Sequence, residues 1–143
     1  MRIAILTSTE FPALTQDDQP LIACLKDVGI CAQPLVWTLD EAVPKKQREV
    51  FDAILIRSPW DYHHNPNKYL IWQAARAETT LMMNDSRLIR WNIHKKYLSD
   101  FAARGLPVIE TIVVERASET HRYKAAIRSA VESKQAAIVG PSR

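Results

Sequence analysis

Glycine is scarce in this chain, which has three glycines among its 143 residues. Loops that wrap backbone amides around nucleotide phosphates use several glycines at fixed spacing, and neither a GxGxxG run nor a Walker-type loop occurs in the sequence. The usual sequence signatures of dinucleotide-binding and P-loop proteins are therefore absent.

Cysteines and long apolar runs are also few. Cys24 and Cys31 form no CxxC pair and have no histidine at metal-binding spacing, so neither a disulfide framework nor a zinc site is predicted. We expect both thiols to be reduced and buried. No apolar run approaches the roughly 20 residues that cross a bilayer, and the first eight residues are typical of a strand rather than of a signal peptide. We therefore expect a cytoplasmic protein that contacts no membrane.

Positive charge is modest and unevenly distributed. The formal net charge is +3; residues 1–80 hold 8 Lys/Arg and 10 Asp/Glu, whereas residues 81–143 hold 11 and 6. A basic segment is one requirement for binding nucleic acid, but these charges are scattered along helical patterns without interleaved aromatic residues. Solvated helix faces account for them, and we expect no nucleic-acid partner.

Strand and helix patterns alternate along the chain. Apolar segments rich in branched residues predict strands at 3–6, 30–37, 52–56 and 81–83, and helical spacing predicts helices at 19–28, 66–77 and 85–104. Pro34 favours an edge position for the second strand, and residues 40–49 are expected to form a loop with at most one helical turn. The alternation predicts an α/β fold with an open, mostly parallel, Rossmann-like sheet and helices on both faces.

The predicted helices have inward faces and recognisable ends. Asp18 is the expected N-cap of the first helix and Gly29 its stop, and Gly105 is the expected stop of the long third helix. The predicted inward positions of the three helices are Leu21, Leu25 and Val28; Tyr69, Trp72 and Arg76; and Leu88, Trp91, Lys95, Leu98 and Ala102.

The pattern changes after Pro107. Residues 108–115 and 136–139 are typical of strands, and Ser118 is expected to cap a helix that runs to about residue 133 with Tyr123, Ile127 and Val131 on its apolar side. We therefore expect one domain at 1–105 and an incomplete second domain at 106–143, because a strand at the chain end lacks a following partner.

A polar run follows the third predicted strand directly. Arg57, Ser58, Trp60, Asp61 and Tyr62 come where parallel strands of an open sheet end, which is where such sheets bind ligands. An arginine suits a carboxylate, and an aspartate suits an amine or hydroxyl. The alternative is that the two aromatic residues cap the sheet while Arg57 and Asp61 form a surface pair.

A metal site at the same run is not expected. His63 and His64 follow Asp61 closely, but adjacent histidines on one loop rarely converge on a single ion.

Several motifs in this order resemble ATP-grasp ligases. Asn92 to Leu98 is followed by Gly105 to Thr111, which matches the family's lysine-bearing helix and its G-hydrophobic-P-x-x-x-T turn. Four further segments are similar to the glutathione-synthetase-like branch that includes D-cycloserine ligase: Arg2 to Ser8, Asp17 to Leu21, Arg57 to Tyr62, and Arg90 to Asn92.

The resemblance implies a preATP-grasp substrate domain at 1–105 and the first part of an ATP-grasp subdomain at 106–143. The complete family enzymes use ATP and Mg²⁺ to activate a carboxylate, which an amine then attacks. By this resemblance Lys95 reaches nucleotide phosphate, although a solvated helix lysine explains it equally well. Arg57, Ser58 and Asp61 match the substrate side, together with Trp60 and Tyr62. Asp18 is a further substrate-pocket candidate, with the N-cap role as its alternative.

The sequence departs from the family at one position that matters for ATP. Gly140 stands where the family has a second lysine, and the family's magnesium ligands lie farther along its chains. We therefore expect this chain alone to be an inactive ligase fragment that binds no cofactor tightly. The alternative is a non-catalytic module whose partner is a small amino-acid-like molecule, a missing C-terminal half or a second copy of the chain.

Overall fold

The computed structural model describes residues 1–109, 111–114, 124–125, 127–129, 132 and 136–139. These residues belong to two compact units, Met1–Leu88 and Ile89–Arg143. The predicted domain boundary near residue 105 stays a prediction.

The first unit is built on a four-stranded parallel sheet. Its strands are β1 (Arg2–Thr7), β2 (Cys31–Val36), β3 (Ala53–Ser58) and β4 (Leu81–Met83), in the spatial order β2-β1-β3-β4. All three pairings are parallel, so the predicted α/β sheet is confirmed. Pro34 lies on edge strand β2, as predicted, because its missing N–H removes no bond from the sheet centre.

Helices connect the strands of this sheet. They are α1 (Gln19–Asp27), α2 (Trp37–Ala42) and α3 (Pro66–Ala77), and short 3₁₀ turns cover Lys45–Gln47 and Trp60–His64. The prediction for residues 40–49 was incomplete, because α2 already begins at the end of β2. The Asn65 side chain caps α3 by accepting a hydrogen bond from the backbone of Lys68, at 3.1 Å.

The first helix is shallower than predicted. It ends as expected, since Gly29 adopts the left-handed conformation (φ 77°) that favours glycine. However, none of its residues is fully buried: Leu21 and Leu25 are half-buried, and Val28, predicted to face inward, is exposed. The expected burial of both thiols is also wrong, because Cys24 lies on this shallow helix and Cys31 at the start of an edge strand, and both are exposed.

The predicted long helix is two helices. α4 (Ser86–Asn92) and α5 (Tyr97–Ala103) are separated at residues 93–96. At the break, the Lys95 ammonium donates hydrogen bonds to the backbone oxygen of Asn92 (3.2 Å) and to its Oδ1 (3.0 Å). The predicted continuous inward face is therefore wrong, and Leu88 and Trp91 are each about half exposed.

The core of the first unit has an aliphatic part and an aromatic part. In β1, Ile3 to Leu6 are at most 4% exposed. Beside the sheet, the Trp37 ring meets those of Tyr69 and Trp72 at centroid distances of 5.2 and 6.2 Å. The predicted inward residues of α3, including Arg76, are all buried.

The second unit contains a parallel pair of strands. β5 (Thr111–Val114) and β6 (Ala136–Val139) confirm the two predicted strands, with β5 shorter than expected at its start. Residues 124–125, 127–129 and 132 are helical, but Ser118, Tyr123, Val131 and Gly140 lie outside the described residues. No helix in the described ranges has the length and apolar content needed to span a bilayer.

Candidate functional site at the carboxyl ends of β1 and β3

Two neighbouring segments form the candidate site. We call residues 8–18 the β1 loop and residues 57–64 the β3 turn. The strands leading to them pair in parallel, with Leu6 opposite Ile56 but Thr7 opposite Ser58, so that Arg57 is an extra residue at a β-bulge. Bulges redirect side chains at strand ends, and this one lies where ligands bind in open parallel sheets.

A buried carboxylate from the β1 loop joins the two segments. Asp18 is 2% exposed, and its Oδ1 accepts a hydrogen bond from Nε of Arg57 at 2.7 Å and forms an ion pair with Nη2 at the same distance. The Ser58 hydroxyl donates to the other oxygen, Oδ2. Three of the residues predicted for the site are therefore brought into direct contact.

The surroundings of Asp18 keep its carboxylate ionised. Burial by itself raises the pKa of the Asp18 carboxyl, but hydrogen bonds from Ser58, Arg57 and Thr15, with the charge of Arg57, outweigh burial and leave the pKa below its ordinary value. The alternative role of Asp18 as a helix cap is wrong: its side chain makes no cap hydrogen bond, and its backbone is already helical (φ −93°, ψ −22°).

Arg57 is anchored on one side and accessible on the other. Its side chain is 48% exposed; Nε donates a hydrogen bond to Asp18 and Nη2 forms an ion pair with it, and Nη1 has no partner among the residues that the structure describes. The predicted alternative of a surface pair between Arg57 and Asp61 is wrong, since Asp18 is the partner of Arg57. The Nη1 group remains available to a ligand.

Asp61 ties the β3 turn to two other elements. Its Oδ1 accepts a hydrogen bond from Nε1 of Trp37 at 2.5 Å. Its Oδ2 accepts longer ones from the backbone (3.4 Å) and hydroxyl (3.3 Å) of Thr9 in the β1 loop. Both carboxylate oxygens therefore have partners within the protein.

The two aromatic residues of the turn differ in their surroundings. Trp60 is 52% exposed and meets Phe11 of the β1 loop edge to face, at a centroid distance of 5.4 Å. Tyr62 is half-buried against core residue Tyr69, at 5.5 Å. Trp60, three residues after Arg57, thus presents an aromatic surface to solvent, whereas Tyr62 attaches the turn to the core.

The turn histidines lie against each other and against the backbone of the turn. The His63 and His64 rings lie 4.0 Å apart, and Nδ1 of His63 is 2.6 Å from the backbone oxygen of Trp60, to which it must donate. No group of three His, Cys, Asp or Glu side chains capable of holding an ion occurs in the described part of the chain.

The conformation of the β1 loop is held by its own contacts. The Thr7 hydroxyl donates to the backbone oxygen of Phe11 (2.8 Å), and buried Leu14 has a left-handed backbone (φ 71°) that is unfavourable for a branched side chain. Ser8 is fully buried, and its hydroxyl has no hydrogen-bond partner among the described residues. The loop is therefore a built structure and not a plain connection.

A buried ion pair between α2 and α3 was missed by the sequence analysis. Asp40 of α2 accepts hydrogen bonds from Nε1 of Trp72 (2.7 Å) and from Nε of Arg76 (2.8 Å), and all three side chains are buried. The inward position of Arg76 was recognised, and a buried arginine needs an acid. The sequence signal that could have indicated this acid is Asp40, which lies three residues after Trp37 in the chain.

Lys95, predicted to contact nucleotide phosphate, belongs to the second unit. Besides its two bonds to Asn92, its ammonium lies 5.6 Å from the centre of the Tyr97 ring. Its phosphate role stays a prediction.

Comparisons with known proteins agree on one family. Residues 3–84 match the family described as D-cycloserine synthetase DcsG, N-terminal domain. The cycloserine biosynthesis protein DcsG of Streptomyces lavendulae is 32% identical over 117 residues, which are 82% of this chain and 38% of that protein. The crystal structure of D-cycloserine synthetase DcsG is similar with a TM-score of 0.69 and 28% identity, over 94% of this chain and 43% of the other. The chain thus spans less than half the length of either relative.

Proposed function

We propose a function for this chain from its family, because it belongs to the family of the D-cycloserine synthetase DcsG N-terminal domain. The chain supplies the substrate-side domain of an ATP-dependent ligase that joins a carboxylate to an amine. The family match and the shared α/β fold support a ligase-related domain. The matched region, residues 3–84, includes the whole β1 loop and the whole β3 turn.

The observation that carries the proposal is the Asp18–Arg57–Ser58 cluster at the carboxyl ends of β1 and β3. A buried carboxylate fixes a half-exposed guanidinium at the position where open parallel sheets bind ligands. Arginine recognises carboxylates through directed N–H donors, so the cluster suits a small amino-acid-like molecule. Trp60 adds an exposed ring surface against which the apolar part of such a ligand can pack.

The site residues described do not fit the nucleotide and metal of the family enzymes. Mg²⁺ is held by carboxylates with phosphate oxygens, and the described residues include no convergent acid cluster. Lys95 has partners in its own segment, and Gly140 stands at the position of the family's second lysine. We therefore propose that ATP and Mg²⁺ bind only in a complete enzyme, and that the 143-residue chain has neither ligase activity nor appreciable ATP affinity.

The substrate-side proposal is tested by titrating the ¹⁵N-labelled chain with a panel of D- and L-amino acids, followed by two-dimensional NMR. We expect saturable shifts confined to the β1 loop and the β3 turn for at least one compound. Arg57→Ala should abolish them. Arg87→Ala is the matched control, because Arg87 also pairs with an aspartate, Asp85, but lies on the surface with its side chain 91% exposed. Equal affinity of the Arg57→Ala and unaltered chains would contradict the proposal.

The nucleotide proposal needs a separate titration. Mg-ATP is added to this chain and to a version extended to the length of the relatives. We expect binding and amino-acid-dependent ATP hydrolysis by the extended version alone. Micromolar ATP binding by the 143-residue chain would show that the proposal is wrong. An extended version that binds the amino acid without hydrolysing ATP would instead favour a non-catalytic module.

A further inference from the structure

We propose that Arg57 recognises the carboxylate of the ligand, and that Asp18 and Ser58 are positioning residues that hold this arginine without contacting the ligand. The inference rests on the proposed function and assigns separate roles within its site. It follows from which polar groups at the site are already engaged and which remain accessible.

The two acids that contact other residues across the site are both engaged inside the protein. Asp18 is 2% exposed, with one oxygen bonded to Arg57 and the other to Ser58. Asp61 has one oxygen bonded to Trp37 and the other to Thr9. A ligand ammonium has no access to the buried Asp18, and at half-buried Asp61 it would share oxygens that already accept hydrogen bonds from Trp37 and Thr9.

Arg57 has the opposite character. Its side chain is about half exposed, and a single oxygen of Asp18 accepts the Nε hydrogen bond and forms the ion pair with Nη2. This arrangement uses one edge of the planar guanidinium and directs the remaining N–H donors away from Asp18. Since a guanidinium fixed before binding loses less conformational entropy when the ligand arrives, the buried partner favours carboxylate binding.

Other charged side chains near the site make no contact with this cluster. Glu10 and Asp17 are exposed on the β1 loop, and His63 and His64 are exposed on the β3 turn. None of them forms a hydrogen bond or ion pair with Arg57 or Asp18 in the described structure. Asp17 is therefore a suitable control, because it has the same charge and lies next to Asp18 in the chain.

The positioning role predicts an effect opposite to simple charge repulsion. Asp18 is negative, so removing its charge should strengthen the binding of an anionic ligand if only long-range electrostatics mattered. If Asp18 holds Arg57 in place, removing its charge should weaken binding. The sign of the change therefore separates the two explanations.

The first test uses three related probes, titrated into the ¹⁵N-labelled full chain: alanine, propionate and alaninamide, with both enantiomers where they exist. Propionate keeps the carboxylate without the amine, and alaninamide keeps the amine without the carboxylate. We expect propionate to bind within a few fold of the better alanine enantiomer. Alaninamide should bind about 10-fold more weakly or worse, the loss typical of a hydrogen bond to a charged group.

The second test uses variants. Asp18→Asn should weaken the binding of alanine and propionate by the same factor, about 10-fold, whereas Asp17→Asn should leave both unchanged. Arg57→Lys, which retains the charge but not the planar fork, should also weaken both. If Asp18→Asn does not fold, Ser58→Ala replaces it, with a smaller loss that is again equal for the two probes.

Several outcomes would overturn the inference. Tighter binding by Asp18→Asn, a loss for alanine but not for propionate, or full affinity in Arg57→Lys would each contradict the assigned roles. If alaninamide binds as well as alanine, the carboxylate assignment fails while the proposed function stands. If no amino acid in the wider panel binds, both fail together.

Discussion

The buried pair between Asp40 and Arg76 offers a direct test of what stabilises the first unit. Asp40→Ala removes the acceptor of two hydrogen bonds from Arg76 and one from Trp72. Arg76 then remains 4% exposed without its counter-charge, although its Nη1 still donates to the backbone oxygen of Glu49 at 3.0 Å.

The expected loss is large compared with the stability of a domain. Removing one partner of a buried ion pair costs about 3–5 kcal/mol, because the remaining charge stays desolvated. Small domains are stable by about 5–15 kcal/mol in total, so this loss is about a fifth of that stability or more. With a urea dependence of about 2 kcal/mol per M, the unfolding midpoint should fall by about 2 M.

Urea unfolding followed by tryptophan fluorescence measures this change, since Trp37 and Trp72 lie within the same cluster. Glu78→Ala is the control: it removes an acid that also pairs with a cation, Lys45, but on the surface, and should leave the midpoint unchanged. The double variant Asp40→Leu/Arg76→Met, which removes both charges, should recover most of the loss. A decrease below about 1 kcal/mol in Asp40→Ala would refute the assignment of a buried ion pair.

Three further outcomes are expected for the first unit. The pKa of the Asp18 carboxyl is lowered in the folded state, so the stability that this group contributes is present above the ordinary pKa of 3.8. That stability is lost as the pH falls through 3.8 and then through the lower folded pKa. In Asp18→Asn, the acid side of the plot of unfolding free energy against pH should therefore be flatter. Burial, with smaller effects from Tyr62 and Asp61, raises the pKa of the Tyr69 phenol, so the free energy of unfolding should fall as the pH rises above about 10. The fall should be measurably smaller in Tyr69→Phe. The same alkaline dependence in both proteins would contradict this prediction. Trp37→Phe removes the donor to Asp61 and should lower the free energy of unfolding by about 1–3 kcal/mol, with NMR shift changes that extend into the β1 loop through Thr9; changes restricted to α2 would count against this coupling.

The parallel sheet was predictable from the sequence because its strands are marked by local composition. Apolar residues fill β1 and β3, and Pro34 marks an edge. The break between α4 and α5 was not predictable in the same way. The apolar spacing continues across residues 93–96, whereas the structure has a break there, with the Lys95 side chain bonded to Asn92, a contact that periodicity does not record.

The site was predictable by position but not in its internal pairing. Arg57 and Ser58 follow an evident strand, and their placement at the sheet edge follows from that. Their partner Asp18 is about 40 residues away in sequence, in a loop whose conformation depends on a left-handed Leu14. Asp18 also stands immediately before a helix, where aspartate is common because it can cap the helix N-terminus. Its presence there therefore gives no sequence signal of a pairing with distant Arg57 and Ser58.

The strand order has a consequence for synthesis of the protein on the ribosome. β1 is made before β2 and β3, yet it lies between them in the sheet, so its second neighbour becomes available only after residue 58 has left the exit tunnel. Until then a nascent chain carries one of its most apolar segments with unpaired backbone along one side, a template for pairing with other chains. Stalling or proteolysis that releases chains ending before Ala53 should therefore yield aggregates, whereas chains that extend past β3 have both sides of β1 covered.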